Sequence, residues 1–261
     1  MSDEFKIIKA RFSSKCNLCK IVIIKGRDIK YYSESKSVTC LECFSNNSYG
    51  EAGKSAKDKA LKIESKRKES VESIPIIGKF IYPFLDPSKD AQKWSKGADG
   101  EERVGSLLDE LAVENNFIAI HDRRIPGSKA NIDHMLITPK GIFIIDAKNY
   151  KGLVELRKSG SFFMPGKQSL FVNGKNRDNL VEGVKWQVGA VKGSLLDSNV
   201  LVVGVLAFTQ DNWPWVGKPK LIDGVYLNSK GISEVINDAN SDCLIDVDLI
   251  SKKILSIFKA K

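Results

Sequence analysis

The sequence predicts a mixed α/β domain with elements in the order αβββαβ, preceded by a small cysteine-rich module. Three observations carry this expectation. Apolar residues recur at helical spacing in two separate stretches, short apolar runs with strand character lie between them, and a continuous apolar run follows the second helix. The first helix is expected over about Gly100–Asn115, with Val104, Leu107, Leu108, Leu111 and Ala112 on one face. Phe117–Asp122 is a short strand, and Ile132–Thr138 and Gly141–Ala147 are two more, joined at Pro139-Lys140. A second hairpin is expected next. Asp178–Leu196 forms the second helix through Leu180, Val184, Val188, Val191 and Leu195, and Val200–Phe208 has the unbroken apolar character of a central strand. A weaker helix from Gly231 and a stronger one over Asp246–Phe258 close the chain.

The chain has 261 residues, enough for one large domain or a medium domain with a small one. With 42% hydrophobic and 28% charged residues it has a globular composition, which excludes the disordered, collagen-like and membrane classes. The longest apolar stretch, Ile74–Leu85, is interrupted by Lys79, Pro75 and Pro83 and falls short of the ~20 residues of a membrane span. Met1–Lys6 lacks the cationic-then-apolar pattern of a secretory signal, so the expectation is an intracellular, cytoplasmic protein.

Lys and Arg number 41 against 32 Asp and Glu, and the excess is unevenly placed. Residues 1–96 hold 20 basic and 12 acidic residues, whereas 97–261 hold 21 and 20. A basic segment joined to a near-neutral domain suits a polyanion, because neutralising phosphates releases counterions. Nucleic acid is the natural candidate, although a solvated Lys-rich surface has the same composition.

Four of the five cysteines form two pairs, Cys16-Asn17-Leu18-Cys19 and Cys40-Leu41-Glu42-Cys43. Each C-x-x-C is a tight knuckle that aims two thiolates at one ion, and two knuckles complete a tetrahedral Zn²⁺ site. Ile21–Tyr32 between them has the character of a β-hairpin turning near Gly26, giving a zinc ribbon over residues 1–48. Two disulfides would use the same four residues, but an intracellular chain disfavours them. Four thiolates leave no open coordination position, so the zinc is expected to be structural. Cys243 stands alone and is expected to be a buried apolar filler. Residues 49–93 are expected to be a basic, partly helical linker. Its helical part, rich in Lys54, Lys57, Lys59, Lys62, Lys66, Arg67 and Lys68, has almost no apolar stripe and is expected to be either a solvated helix or a basic arm along a nucleic-acid backbone, and Ile74–Leu85 is expected to dock on the second domain. That domain is expected over residues 94–261.

The sharpest chemical signal lies in the Ile132–Thr138 and Gly141–Ala147 strands, each of which carries one acid. A two-residue loop at Pro139-Lys140 sets Asp133 directly across from Asp146. Opposed side chains have Cβ atoms about 4.5–5.5 Å apart, where two anions repel unless a cation lies between them or one takes a proton. A hard divalent metal fits that gap. Lys148 emerges on the same strand face as Asp146, where its ammonium can meet a phosphate oxygen or the attacking water. In the first helix, Glu101 lies about 50° from the centre of the apolar stripe and Glu102 about 150°. Glu101 should therefore face the sheet and Glu102 solvent. Gln187 lies about 70° from the centre of the later helix's stripe, where it is either a contact to phosphate or base or an ordinary boundary glutamine. His121 and His134 are not spaced as a zinc-hydrolase pair, and His134 should point away from Asp133's face.

Gly97-Ala98-Asp99-Gly100-Glu101-Glu102, the Ile132-Asp133-His134 strand and Gly141-Ile142-Phe143-Ile144-Ile145-Asp146-Ala147-Lys148-Asn149 resemble the NERD (nuclease-related) domain of the PD-(D/E)xK superfamily. The resemblance spans about residues 94–210 and implies a restriction-endonuclease-like core with a mixed sheet flanked by helices. It implies a magnesium-dependent phosphodiesterase in which Glu101, Asp133 and Asp146 hold Mg²⁺, Lys148 is the catalytic lysine and Gln187 is the helix glutamine near the site. Family members usually carry Glu where Asp146 stands, which shortens the reach without removing the ligand. The function expected is a metal-dependent nuclease acting on DNA. The alternatives are a non-cleaving nucleic-acid-binding module and a zinc-ribbon adaptor for protein partners. The chain has no G-x-x-x-x-G-K-[ST] motif, so any motor would be a partner helicase or ATPase.

Overall fold

The computed structural model describes residues 5–17, 22–23, 25–33, 35–40, 49–73, 85–159, 166–195, 199–209, 220–228, 231–241 and 243–260. The N-terminal module has strands β1 (Phe5–Lys9), β2 (Ser14–Lys15), β3 (Val22–Ile23), β4 (Asp28–Tyr32) and β5 (Ser37–Cys40). Two helices follow, α1 (Lys54–Glu72) and α2 (Lys89–Asn115). The meander β6 (Ile118–Arg124), β7 (Asn131–Thr138) and β8 (Gly141–Lys148) comes next, then the smaller strands β9 (Val154–Lys158), β10 (Gln168–Val172) and β11 (Lys175–Asn176). The chain continues through α3 (Asp178–Leu195), β12 (Val202–Phe208), β13 (Lys220–Ile222), β14 (Val225–Asn228), α4 (Ile232–Asp238) and α5 (Val247–Ile257).

The central sheet has six strands in the order β13-β14-β12-β8-β7-β6. β6, β7 and β8 pair antiparallel, while β12 pairs parallel to both β8 and β14. A parallel neighbour needs a long crossover, and the small β9–β11 sheet with α3 supplies it between β8 and β12. The expected αβββαβ order is therefore present as α2-β6-β7-β8-α3-β12. Side chains alternate across β7 and β8 with period two. Leu136, Phe143 and Ile145 join Val104 and Leu108 of α2 in one core layer. Met135, Ile137, Ile142 and Ile144 join Val191 and Leu195 of α3 and Ile254 of α5 in the other. Gly204 lets α3 approach β12 closely, since a Cβ there would lie 2.5 Å from Val184 Cγ1.

Four features depart from the sequence reading. First, α2 begins at Lys89, well before Gly100, with the Ser88 Oγ accepting from the Ala91 N–H at 3.1 Å as an N-cap. Its first turns carry no apolar stripe, so periodicity gives no signal there. Second, α1 is not solvated on all sides but packs antiparallel along α2. Lys57 pairs with Glu102, the Lys59 ammonium lies 3.7 Å over the Trp94 ring, and the Ser88 N–H donates to Glu64 Oε1 at 2.6 Å. Glu102 therefore faces α1 rather than open solvent. Third, Cys243 is exposed, not a buried filler. The strands β13 and β14 also extend the sheet beyond the elements expected.

The N-terminal module adjoins the sheet through Tyr49, which packs against both the module's small core and the sheet core. Its carbonyl accepts from the His121 N–H of β6 at 2.6 Å. Within the module Cys16 and Cys40 are buried, and the Cys40 N–H donates to Cys16 Sγ at 3.3 Å. Cys19 and Cys43 lie outside the described residues, as does the docking segment Ile74–Leu85 apart from Leu85.

A polar helix such as α1 needs anchoring from elsewhere. Its N-cap, Gly53, offers no side-chain acceptor, but Asp122 of β6 accepts from the Ser55 N–H at 2.7 Å and from Asn131 Nδ2 at 2.8 Å. Asp122 sits at φ 48° and is buried. Asp122→Ala should destabilise the protein by about 1–3 kcal/mol, because it strands two donors at the junction of α1, β6 and β7. A wild-type urea midpoint in this variant would show that α1 is anchored by other means.

Candidate active site

The β7–β8 turn at Pro139-Lys140 sets the register Thr138↔Gly141 through His134↔Ile145, as the loop length predicts. One step further the ladder ends, and Asp133 and Asp146 meet. The Ala147 N–H there donates to a side chain, Asp133 Oδ2, at 3.3 Å. β8 stays paired with β12 as far as Lys148↔Phe208. The two strands thus part where each presents a carboxylate, with Asp146 and Lys148 held on the strand that remains in the sheet.

Asp146 is buried, and Lys148 Nζ lies 2.5 Å from its Oδ2. Burial pushes the Asp133 carboxyl well above the usual carboxylate range; the charge on Asp146 adds to that, Lys148 opposes it, and Glu101 and a hydrogen bond with Asp146 raise it further. Two carboxyls brought this close favour the retention of one proton between them or the approach of a cation. For Lys148, burial works against the charge but is outweighed by Asp146, Asp133 and Glu101, so its pKa rises and it stays an ammonium.

Glu101 reaches the cluster from α2, and its charge acts on both Asp133 and Lys148. The adjacent Gly100 explains how α2 comes so close. A Cβ at Gly100 would lie 2.7 Å from Asn149 Cβ, and Asn149 Nδ2 donates to the Lys96 carbonyl at 2.6 Å. This contact, which the sequence reading did not single out, pins the end of β8 to α2 beside Glu101. Gln187 is buried on α3, the helix covering the sheet face of Ile144, and its Oε1 has no hydrogen-bond partner among the described residues. The structure thus brings Asp133, Asp146 and Lys148 together, with Glu101 near enough for its charge to act on Asp133 and Lys148, and leaves Gln187 Oε1 on α3 without a hydrogen-bond partner among the described residues.

His121 and His134, far apart in sequence, are cross-strand partners with Nδ1 atoms 2.9 Å apart. His121 Nε2 lies 3.0 Å from Asp109 Oδ1 on α2. When Nε2–H donates to Asp109, His121 Nδ1 accepts from His134 Nδ1–H, so both rings can be neutral. Burial, His121 and Lys148 push the His134 pKa well below its ordinary value. The signal that would have found this pair is the β6–β7 register, which no tight turn fixes.

The fold and these side chains define an α/β protein with an acidic, lysine-neutralised site where two strands of a mixed sheet part. Residues 96–209 match the model of the NERD family, the nuclease-related domain. An uncharacterized protein of Bacillus anthracis is 26% identical over 107 residues, covering 38% of this chain and 50% of that protein. The chain thus spans about half the length of the curated relative it matches. No solved structure matches. Among the described residues no helix is long and apolar enough to cross a membrane. No group of three His, Cys, Asp or Glu side chains there is arranged to hold a metal ion, and Lys148 itself holds Asp146.

The raised Asp133 pKa has a signed consequence. The folded state binds this proton more tightly than the unfolded chain does, so the carboxyl's contribution to stability falls as pH rises above the ordinary carboxylate range. In EDTA at pH 7, Asp133→Asn should therefore be at least as thermally stable as wild type, with any advantage vanishing near about pH 4. A variant less stable at pH 7 and equal at pH 4 would contradict the shared-proton pair.

Proposed function

We propose that this protein is a metal-dependent nuclease that hydrolyses phosphodiester bonds in DNA. The observation that carries the reading is the Asp133–Asp146–Lys148 cluster at the parting of β7 and β8, with Glu101 beside it. The donor chemistry, though not a preformed three-acid arrangement among the described residues, fits Mg²⁺: carboxylates offer hard oxygen ligands, and a cation would relieve the repulsion between Asp133 and Asp146. Glu101, Asp133 and Asp146 would hold the ion, which when bound supplies Lewis acidity and a more acidic water.

The chain's own groups do the rest. Lys148 remains charged and can donate to a phosphoryl oxygen as negative charge develops there. Asp146, fixed by the β8–β12 ladder, orients that ammonium at 2.5 Å. The Gln187 amide on α3 is available to a phosphate or base. In the N-terminal module, Cys16, Cys19, Cys40 and Cys43 would hold a structural Zn²⁺. The burial of Cys16 and Cys40 and the Cys40 amide bond to Cys16 Sγ support that reading. Purified protein should carry about one zinc per chain, lost together with the module's fold in Cys16→Ser but not in Cys243→Ser. Zinc-free protein with an intact module would contradict it.

Cleavage is tested with plasmid and linear DNA, in magnesium and in EDTA. Asp146→Ala and Lys148→Ala should each lower the magnesium-dependent rate by about 10²-fold or more, with a native circular-dichroism spectrum. Glu101→Ala should do likewise, whereas Glu102→Ala, which loses its pairing to Lys57 on α1 and no group at the acidic cluster, should cleave saturating DNA at the wild-type rate. Wild-type rates in the Asp146 and Lys148 variants would remove the catalytic assignment.

A further inference from the structure

We propose that the α1–α2 hairpin is a nucleic-acid-binding arm, a basic rail that carries a phosphate backbone past Lys148, with Lys59 and Trp94 as its contact to a nucleotide. The proposal rests on the nucleic-acid reading above and adds where the polyanion lies.

The hairpin's position comes from the site itself. Asn149, the residue after Lys148, meets α2 at Lys96 and Gly100. The part of α2 before Gly100, from Lys89 to Asp99, therefore runs beyond the point where β8 ends. At 1.5 Å per residue this overhang is about 16 Å long. α1 lies antiparallel along it through the Lys59–Trp94, Glu64–Ser88 and Arg67–Asp86 contacts. The Asp122 bond to the Ser55 N–H and the Lys57–Glu102 pair fix α1 to the domain, so the arm's position is set relative to Lys148.

Its chemistry suits phosphates. α1 and the overhang together hold 10 basic and 6 acidic residues. Lys57, Lys68 and Lys93 are paired with carboxylates. Lys54, Lys62, Lys66, Lys89 and Lys96 have no carboxylate partner among the described residues. Lys59, Lys62 and Lys66 recur at helical spacing on exposed positions and span about 10 Å, roughly three nucleotides at the 3.4 Å axial rise of one strand. Trp94 is 38% exposed, about 9 Å along α2 from Gly100. An exposed indole beside a lysine ammonium offers stacking to a base and charge to its phosphate. The hairpin's outer face has no continuous apolar stripe, which favours a polyanion over a bilayer.

Binding of fluorescein-labelled single-stranded and duplex DNA to the full chain, measured by anisotropy in EDTA across a salt series, tests the arm without cleavage. The double variant Lys62→Gln/Lys66→Gln should weaken binding and reduce the slope of log affinity against log salt by about 1.5–2. Trp94→Ala should weaken single-strand binding by about tenfold with little change in slope, and Trp94→Phe should restore most of it. Lys192→Gln, in the last turn of α3, serves as the surface-charge control and should match wild type. If both arm variants bind with wild-type affinity and slope, or lose binding to anionic phospholipid vesicles but not to DNA, the proposal is wrong. If they lose DNA binding while wild-type protein never cleaves in magnesium, the nuclease reading fails and the arm stands.

Discussion

Two carboxylates that cannot both be charged are the constraint around which this structure is arranged. Asp133 and Asp146 meet one step past the end of the β7–β8 ladder, and the Lys148 ammonium beside Asp146 offsets part of their repulsion. Such an arrangement destabilises a fold unless its neighbours are rigid. Here they are. β8 is held by β12 through its last residues, Asn149 ties its end to α2, and apolar layers from both helical faces close over Ile144 and Ile145. β7 can part from β8 without loosening the sheet because its other edge remains paired with β6.

The same region anchors an element that local forces would not hold. α1 is polar on nearly every side and has no side-chain cap, and an isolated helix of that kind is marginal in water. Its order comes from outside: Asp122 at its start, then a series of charged and cation–π contacts along α2. Tyr49 performs a similar service for the N-terminal module, sharing its side chain between two apolar clusters. The N-terminal module, the helical segment and the sheet therefore meet along one strand, β6, through His121 and Asp122.

What could be read from sequence follows the range of the forces involved. The β7–β8 register up to His134↔Ile145, which leads to Asp133 and Asp146, was legible because a two-residue loop fixes it. The helices with apolar stripes were legible for the same local reason. The docking of α1 was not, because Lys57, Lys59 and Glu64 are residues any solvated helix would carry, and only the fold shows that Glu102, Trp94 and Ser88 await them. Nor was the His121–His134 pair, since the β6–β7 connection has no tight-turn signature. Cys243 was misplaced because a single cysteine has no periodicity to set against its burial preference; it lies beside a polar turn in which its carbonyl accepts from Ser241.

The two charged regions have a further relation on the nuclease reading. Even with one proton retained between the two aspartates, the cluster of Glu101, Asp133, Asp146 and Lys148 carries a net negative charge, which repels an approaching phosphate. A divalent cation would reverse that sign, and a phosphate held nearby by basic residues would in turn favour the cation. By linkage each must strengthen the other to the same degree. A lysine row beyond the site, outside the reach of the carboxylates, is where a polyanion can be held before the cation arrives. Lys148 cannot perform that task, because the carboxylates that keep it charged also occupy it.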